Sequence, residues 1–247
     1  MRRAAFCLAG LLMVLTARER PALGAVTFYD GTFANSDWTV GTVAPWNHGT
    51  AIGTQAVSGG NPEYFREVTN TVDSLPLVTI HGIHIKPSAV YDPSVRGAIL
   101  SIDYSEDSLL IYGFPGGEGQ YAAPALRQGG YYYYAGGWIT PEYSWVHHAA
   151  TGLTAESFLR LTPPEPLTEH PDFSAAGGPI EFGFLRGNST SDSGSGYTTI
   201  GGIDNWSVTV QPVPEPATLA LLGLAAAGLS GYLRRRFDGA HHQRRTA

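Results

Sequence analysis

The chain has 247 residues, of which 43% are hydrophobic, and a formal net charge of −6 at pH 7. Residues 26–212 hold six basic and 18 acidic side chains, a net charge of −12, because the other basic residues lie near the two ends. Such an acidic body disfavours nucleic acid as a partner, since phosphate binding depends on cationic neutralisation. The single cysteine, Cys7, lies in the N-terminal apolar stretch, so loss of that stretch excludes thiol chemistry, cysteine-ligated metals and disulfides.

The N-terminus has the features of a secretory signal peptide. Arg2 and Arg3 precede an apolar run over residues 4–17, which is long enough for the core of a signal peptide and short for a membrane span. Small residues follow up to Ala25. We therefore expect residues 1–25 to be removed during export; the alternative is a retained membrane anchor.

Residues 26–211 contain short β-prone runs that are separated by glycine and proline. Several runs alternate, as where Trp206, Val208 and Val210 share one strand face. This period of two predicts antiparallel sheets with one buried face, and the number of runs favours an all-β sandwich of the jelly-roll type. The predicted strands are Val26–Tyr29, Tyr64–Asn70, Val78–Lys86, Ala98–Tyr104, Leu109–Tyr112, Tyr131–Tyr134, Tyr143–His147, Ile180–Leu185 and Asn205–Gln211.

Three stretches between these runs are rich in glycine, proline, serine or threonine. They cover residues 113–130, 162–179 and 186–202. Long loops in a compact domain often bind ligands. The composition therefore predicts three linking regions, and no second domain boundary is evident.

A cluster of aromatic residues is the most unusual local composition of the body. Its members are Tyr131, Tyr132, Tyr133, Tyr134, Trp138 and Trp145. In a strand, two of the four tyrosines point to each face. One interpretation is an exposed aromatic platform on which sugar rings stack, since tyrosine and tryptophan combine an apolar face with a polar group. The other interpretation is a core strand.

Two acidic residues near the ends of the body are candidate calcium ligands. Asp30 follows the first predicted strand, and Asp204 precedes Asn205 at the start of the last one. Calcium takes six to eight oxygen ligands, many of them backbone carbonyls. Because aspartate and asparagine also form turns without a metal, the cofactor prediction is either none or a structural calcium ion.

The densest acidic cluster consists of Asp103, Glu106 and Asp107. Paired carboxylates hydrolyse glycosides when they are about 5 to 9.5 Å apart. The cluster falls at a predicted junction between a strand and a turn, so we interpret it as a solvated hairpin. Neither a nucleophile elbow nor a phosphate-binding loop occurs in the sequence, and no catalytic residue is assigned.

The C-terminus has three parts in a fixed order. The sequence Val213-Pro214-Glu215-Pro216 precedes the apolar stretch Ala217–Leu233, and Arg234, Arg235 and Arg236 follow it. As a helix, the apolar stretch would be about 26 Å long, near the lower limit for crossing a bilayer. The arginines should remain cytoplasmic under the positive-inside rule, which places the body outside.

This ending resembles the PEP-CTERM sorting signal of Gram-negative bacteria over residues 213–236. The resemblance implies recognition by the membrane protease exosortase, which removes the hydrophobic tail near the Pro-Glu-Pro motif and releases the protein or transfers it to the surface. Members of that family usually end soon after the arginines. Here residues 237–247 continue as a basic tail, which we expect to be cytoplasmic.

The two edges of the body carry a second resemblance. Residues 29–33 and 202–208 resemble the first and last strands of carbohydrate-binding-module-like or concanavalin-like jelly rolls, in which the terminal strands pair and the closing aspartate often lies near a structural calcium. These resemblances favour a non-enzymatic surface or secreted protein that associates with extracellular polysaccharide. A purely structural matrix protein and a glycoside hydrolase or lyase are the alternatives.

Overall fold

The computed structural model describes residues 24–43, 48–113, 119–161 and 169–214. Residues 24–213 form one compact unit, in which the described residues build thirteen strands and one short helix, α1 (Pro93–Arg96). Sheet A contains β1 (Val26–Asp30), β3 (Gly49–Gly60), β4 (Glu63–Val72), β6 (Ile99–Tyr112), β10 (Val146–Leu153) and β13 (Tyr197–Pro212). Sheet B contains β2 (Thr39–Thr42), β5 (Thr79–Tyr91), β7 (Gln120–Gln128), β8 (Tyr131–Ala135), β9 (Trp138–Thr140), β11 (Phe158–Arg160) and β12 (Ile180–Ser189).

Both sheets are antiparallel and face each other, which confirms the predicted all-β sandwich. Sheet A has the order β10-β6-β13-β4-β3, and β1 pairs with the second half of β13. Sheet B has the order β11-β8-β7-β12-β5-β2, and β9 pairs with the start of β7. No helix within the described ranges is long and apolar enough to cross a membrane; the predicted span 217–233 lies outside those ranges, as do residues 1–23.

The main core lies between the sheets and is rich in aromatic side chains. Trp206 on β13 is fully buried, and its ring meets Trp38 at a centroid distance of 5.1 Å and near-perpendicular planes. Trp38 also stacks on Phe33 at 5.3 Å. As predicted from their alternation, Val208 and Val210 point into the same core. Burial of each such side chain contributes about 1.5–3 kcal/mol relative to an exposed one.

A buried ion pair joins the two sheets inside this core. Glu106 on β6 and Arg186 on β12 are 0% and 1% exposed, and Arg186 Nη2 donates to Glu106 Oε1 at 2.7 Å. The Tyr104 hydroxyl donates to Glu106 Oε2 at 2.5 Å, and the Ser108 hydroxyl donates to Oε1. The carboxylate therefore has a full set of charged and neutral donors, which a buried charge requires.

The ion pair corrects the interpretation of the acidic cluster. Asp103, Glu106 and Asp107 lie inside β6, which runs unbroken where the sequence predicted a strand, a turn and a second strand. Of these three residues, Glu106 and Asp107 are buried and Asp103 is partly exposed. The stretch is a strand because its carboxylates have partners elsewhere in the fold, and Arg186 is 80 residues from Glu106 along the chain.

Two further polar residues connect the sheets. Arg66 on β4 donates through Nε to His84 Nδ1 on β5 at 3.3 Å, and the imidazole stacks on Phe184 at 4.6 Å. Burial lowers the pKa of Arg66 to about 10. Burial, with the charges of Arg66 and Arg186, holds the pKa of His84 well below its usual value. His84 is therefore neutral at pH 7.

The predicted linking regions are in part strands. β7 occupies half of residues 113–130, and β12 extends to Ser189 inside the third region. β3 was not predicted at all. β7 contains alanines that are buried on both faces of sheet B, so its sequence lacks the alternation that marks a strand with one solvated face.

Candidate functional site

The four consecutive tyrosines alternate across sheet B. Tyr133 points into the core between the sheets and is 6% exposed. Tyr131, with the same parity at the start of β8, is 37% exposed and lies under the Arg160 guanidinium at 4.0 Å. Tyr132 and Tyr134 pack against a second apolar cluster. They lie on the outer face of sheet B, the face that points away from sheet A.

Small side chains form the floor of this outer face. The second cluster contains Ala123 and Ala125 on β7, beside Leu185 on β12 and Ile83 and Ile85 on β5. These five side chains are at most 3% exposed, and the rings of Tyr132 and Tyr134 pack against their cluster. The outer face of sheet B therefore carries a second, covered apolar core.

Sheet B is curved across its width. A Cβ atom placed on Gly41 of β2 would lie 2.7 Å from the Tyr132 hydroxyl of β8. Three strands separate β2 from β8, and in a flat sheet they would lie about 19 Å apart at about 4.8 Å per strand. That distance exceeds the reach of a tyrosine, so sheet B must bend toward its outer face.

A groove of about 720 Å³ opens at one end of the outer face of sheet B. One cross-strand row forms its floor: Ile139 on β9, Tyr121 on β7, Gly187 on β12 and His81 on β5 pair in succession. A Cβ atom on Gly187 would lie 3.2 Å from the His81 ring and 3.5 Å from the Tyr121 ring. Gly187 therefore allows the rings of His81 and Tyr121 to approach each other over β12, and a larger residue there would displace them.

Polar groups without formal charge form most of the remaining lining of the groove. The remaining lining residues are Thr79, Gly119, Asn188, Ser189, Thr190, Ser191, Ser193, Ser195 and Tyr197. Burial lowers the pKa of His81 below its usual value, so the imidazole is neutral at pH 7. Burial also raises the pKa of Tyr121, which keeps its phenol protonated. Among the described residues that line the groove, none is an aspartate, glutamate, lysine or arginine.

The predicted aromatic cluster is divided between three surfaces. The Tyr134 ring stacks on His81 at 6.5 Å, beside the groove. Trp138 faces the core side of sheet B and stacks on His148 at 4.9 Å. Trp145 lies on sheet A against Phe65, and its indole donates to the Gly59 carbonyl at 3.0 Å. The structure thus brings Tyr132 and Tyr134 to one face and places the two tryptophans elsewhere.

Asp30 is held entirely by protein groups. Its Oδ1 accepts from the amides of Thr32 and Phe33, and its Oδ2 accepts from the Trp38 indole at 2.9 Å and the Lys86 ammonium at 2.7 Å. Despite the opposing effect of burial, these donors lower the pKa of Asp30 to about 2. The ammonium of Lys86 thus occupies the position at which a divalent cation would contact Oδ2.

Asp204 lies in a different environment. Its oxygens accept from the amides of Asn61 and Asn205 at 2.5 and 2.7 Å. Asp107, opposite Asp204 on β6, accepts from the side-chain amides of the same two asparagines. Burial, and then Asp107, raise the pKa of Asp204. Within the described part of the chain, no group of three or more His, Cys, Asp or Glu residues is arranged to hold a metal.

The remaining predicted site residues belong to the sorting segment. Pro214 is exposed just after β13. Glu215, Pro216 and the three arginines, Arg234, Arg235 and Arg236, lie outside the described residues.

Sequence reasoning did not identify the groove. Tyr121 lay in a predicted linking region, and Ile139 and Gly187 carry no recognisable motif. The four floor residues come from four strands that are distant along the chain. Only the strand register brings them together, so no local signal in the sequence marked them.

Comparison with known proteins identifies the C-terminal segment. Residues 212–236 match the PEP-CTERM protein-sorting motif. No curated protein has a significantly similar sequence.

Similar solved structures cover the body of the chain. One is a family 11 carbohydrate-binding module from Clostridium thermocellum in complex with a β-1,3-1,4-mixed-linked tetrasaccharide. Its sequence is 12% identical to this chain, and the TM-score is 0.42. The similarity covers 79% of this chain and 99% of that one. Another is the CBM22-1 xylan-binding domain from Paenibacillus barcinonensis, 9% identical with a TM-score of 0.40, over 78% of this chain and 99% of that one.

Proposed function

We propose that this chain is an exported, non-enzymatic protein whose sandwich binds a neutral polysaccharide in the groove on the outer face of sheet B. One observation carries the proposal: the groove of about 720 Å³ has the rings of Tyr121 and His81 in its floor and is surrounded by serine, threonine and asparagine. Sugar rings present apolar C–H faces and polar edges, and a lining of this kind complements both.

The absence of charge in the described lining favours a neutral ligand. Uronic acid polymers carry a carboxylate on many residues, and a groove for them would require cationic donors. Those lining residues supply hydroxyls and an amide instead. The net charge of −12 on the body adds a general repulsion toward polyanions.

The sorting motif supports an extracellular site of action. We propose that residues 1–25 are a signal peptide, that residues 217–233 span the inner membrane transiently, and that residues 237–247 are a cytoplasmic tail. Exosortase then cleaves near Pro214-Glu215-Pro216, and the jelly-roll body reaches the surface or the exopolysaccharide matrix of a Gram-negative bacterium, where biofilm is a natural setting.

Affinity electrophoresis of the chain from Val26 onward, in detergent micelles, tests the binding proposal. The gels contain neutral polysaccharides (dextran, xylan, mixed-linkage β-glucan) or acidic ones (alginate, polygalacturonate). We expect retardation by at least one neutral polymer and by neither acidic one. Tyr121→Ala should weaken it by about 5- to 150-fold, if a sugar ring on an aromatic side chain contributes as much as a stacked base, on the order of 1–3 kcal/mol.

Tyr143→Ala is the matched control, because Tyr143 is 72% exposed and does not line the groove. Its retardation should equal that of the unmodified chain. Absence of retardation in every gel rejects glycan binding and leaves the structural matrix protein. Release of reducing sugar from a polymer would instead support the hydrolase or lyase alternative.

A further inference from the structure

A buried amide lies on the inner side of sheet B at the groove. Asn188 follows the floor residue Gly187 on β12, and successive side chains of a strand point to opposite faces. The Asn188 side chain therefore faces sheet A, and the residue is 6% exposed. It contacts Asn70 on β4, Gln120 on β7 and Thr199 on β13, each of which is at most 1% exposed. One side chain thus joins strands of both sheets next to the groove.

Hydrogen bonds fix the orientation of this amide. Asn188 Nδ2 donates to the Gly119 carbonyl at 3.1 Å and to Thr199 Oγ1 at 3.3 Å. A carbonyl oxygen only accepts, so Nδ2 must face Gly119. Asn188 Oδ1 then accepts from Asn70 Nδ2 at 3.1 Å and from Gln120 Nε2 at 3.4 Å. Because both amide hydrogens and both lone pairs are engaged within the protein, the Asn188 side chain holds its neighbours and has no group left for a ligand.

The bond to Gly119 continues a connection that the backbone does not make. The ladder between β12 and β7 ends at the pair Gly187–Tyr121. Beyond that pair, the Asn188 side chain links β12 to Gly119, which precedes β7 and lines the groove. On another side Gly119 lies against β9, since a Cβ atom there would collide with the Thr140 carbonyl. Asn188 therefore sets the position of Gly119 relative to the floor of the groove.

We propose that Asn188 is a positioning residue of the groove: its amide holds Gly119 against β12, so that the groove has its binding shape before a polysaccharide arrives. This inference rests on the proposed function and adds to it the residue that preorganises the site. A preorganised site avoids the cost of ordering its backbone on binding. Removal of the amide therefore weakens binding, although the Asn188 side chain gives no hydrogen bond to the ligand.

The test compares Asn188→Leu with Gln128→Leu, in the chain from Val26 onward in detergent micelles. Gln128 is the matched control, because it is the last residue of β7 and is 8% exposed. Its Nε2 donates to the carbonyls of Asp172 and Gly178 at 2.8 and 2.9 Å, and its Oε1 accepts from the Asp172 amide at 2.7 Å. Gln128, Asp172 and Gly178 do not line the groove. Both substitutions remove a buried, hydrogen-bonded amide from sheet B, and both should lower the Tm.

Affinity electrophoresis with dextran, xylan and mixed-linkage β-glucan measures binding, and hydrogen exchange followed by mass spectrometry measures local opening at residues 119–122. We expect Asn188→Leu to weaken retardation at least tenfold and to accelerate exchange at residues 119–122 at least tenfold. Saturating polysaccharide should slow that exchange again, because the ligand then orders the same backbone. Gln128→Leu should stay within twofold of the unmodified chain in both measurements.

Retardation of Asn188→Leu within twofold of the unmodified chain overturns the inference. An equal loss in Gln128→Leu overturns it as well, since the effect would then follow stability alone. If Asn188→Leu does not fold, Asn188→Asp replaces it with the same expectations, because an ionised carboxylate cannot donate to the Gly119 carbonyl. Absence of retardation of the unmodified chain by every polymer rejects the proposed function, whereas unchanged exchange at residues 119–122 in the Asn188 variant rejects its positioning role.

Discussion

Replacement of Glu106 by glutamine is expected to destabilise the body strongly. The substitution keeps the size of the side chain and removes its charge. Arg186, 1% exposed and 2.7 Å from the carboxylate, then remains buried without a counter-charge. Breaking a buried pair by removing one partner costs about 3–5 kcal/mol. In a domain of this size each kcal/mol lowers the Tm by about 2–4 °C, so we expect a decrease of roughly 6–20 °C.

Urea unfolding followed by tryptophan fluorescence measures this change, since Trp206 is fully buried in the core. Glu67→Gln, on the half-buried outward face of β4, is the isosteric control and should change the free energy of unfolding by less than about 0.5 kcal/mol. The double variant Glu106→Leu with Arg186→Met should regain most of the stability, because apolar residues of similar volume replace buried ion pairs at little cost. A loss below about 1 kcal/mol for Glu106→Gln would refute this account of the ion pair.

Three further predictions concern pH, calcium and sorting. Because the folded pKa of His84 is depressed, its contribution to stability is complete above the unfolded pKa of about 6.5 and declines by up to about 1.4 kcal/mol per pH unit below it; urea unfolding at pH 7, 6 and 5 should show a shallower decline for His84→Gln. Since the Lys86 ammonium already pairs with the Asp30 carboxylate, the Tm in 1 mM calcium should equal that in EDTA. An increase of the Tm in calcium that Asp204→Asn abolishes would restore the calcium hypothesis. In the native host, mass spectrometry should find mature protein that lacks the signal peptide and everything beyond the Pro-Glu-Pro motif, whereas Glu215→Ala should leave a longer form in the inner membrane.

The sequence predicted strands correctly where one strand face is buried and the other is exposed to solvent. β13 was predicted from Trp206, Val208 and Val210, and the division of the four tyrosines into two pairs followed from the period of two. β7 was missed because both of its faces are buried, and β6 was divided in two because its carboxylates suggested solvent. In both strands the deciding factor is packing by residues that are distant along the chain.

The sequence by itself determined the fold class of the body and the presence of a sorting motif. These properties follow from local features of the sequence. They are the short alternating strands, the acidic body, and the C-terminal motif with its apolar stretch and three arginines. Each can be recognised from the composition or the period of its own segment. They indicated the all-β sandwich and the PEP-CTERM sorting motif without any contact information.

Only the tertiary structure decided where the groove lies. Ile139, Tyr121, Gly187 and His81 form one row because β9, β7, β12 and β5 are neighbours in a fixed register. A shift of one residue in any strand would turn its side chain to the opposite face of the sheet. β1 and β13, the first and last strands of the body, likewise pair in a fixed register. Register is set by the packing of both sheets together, and no single segment of the sequence contains that information.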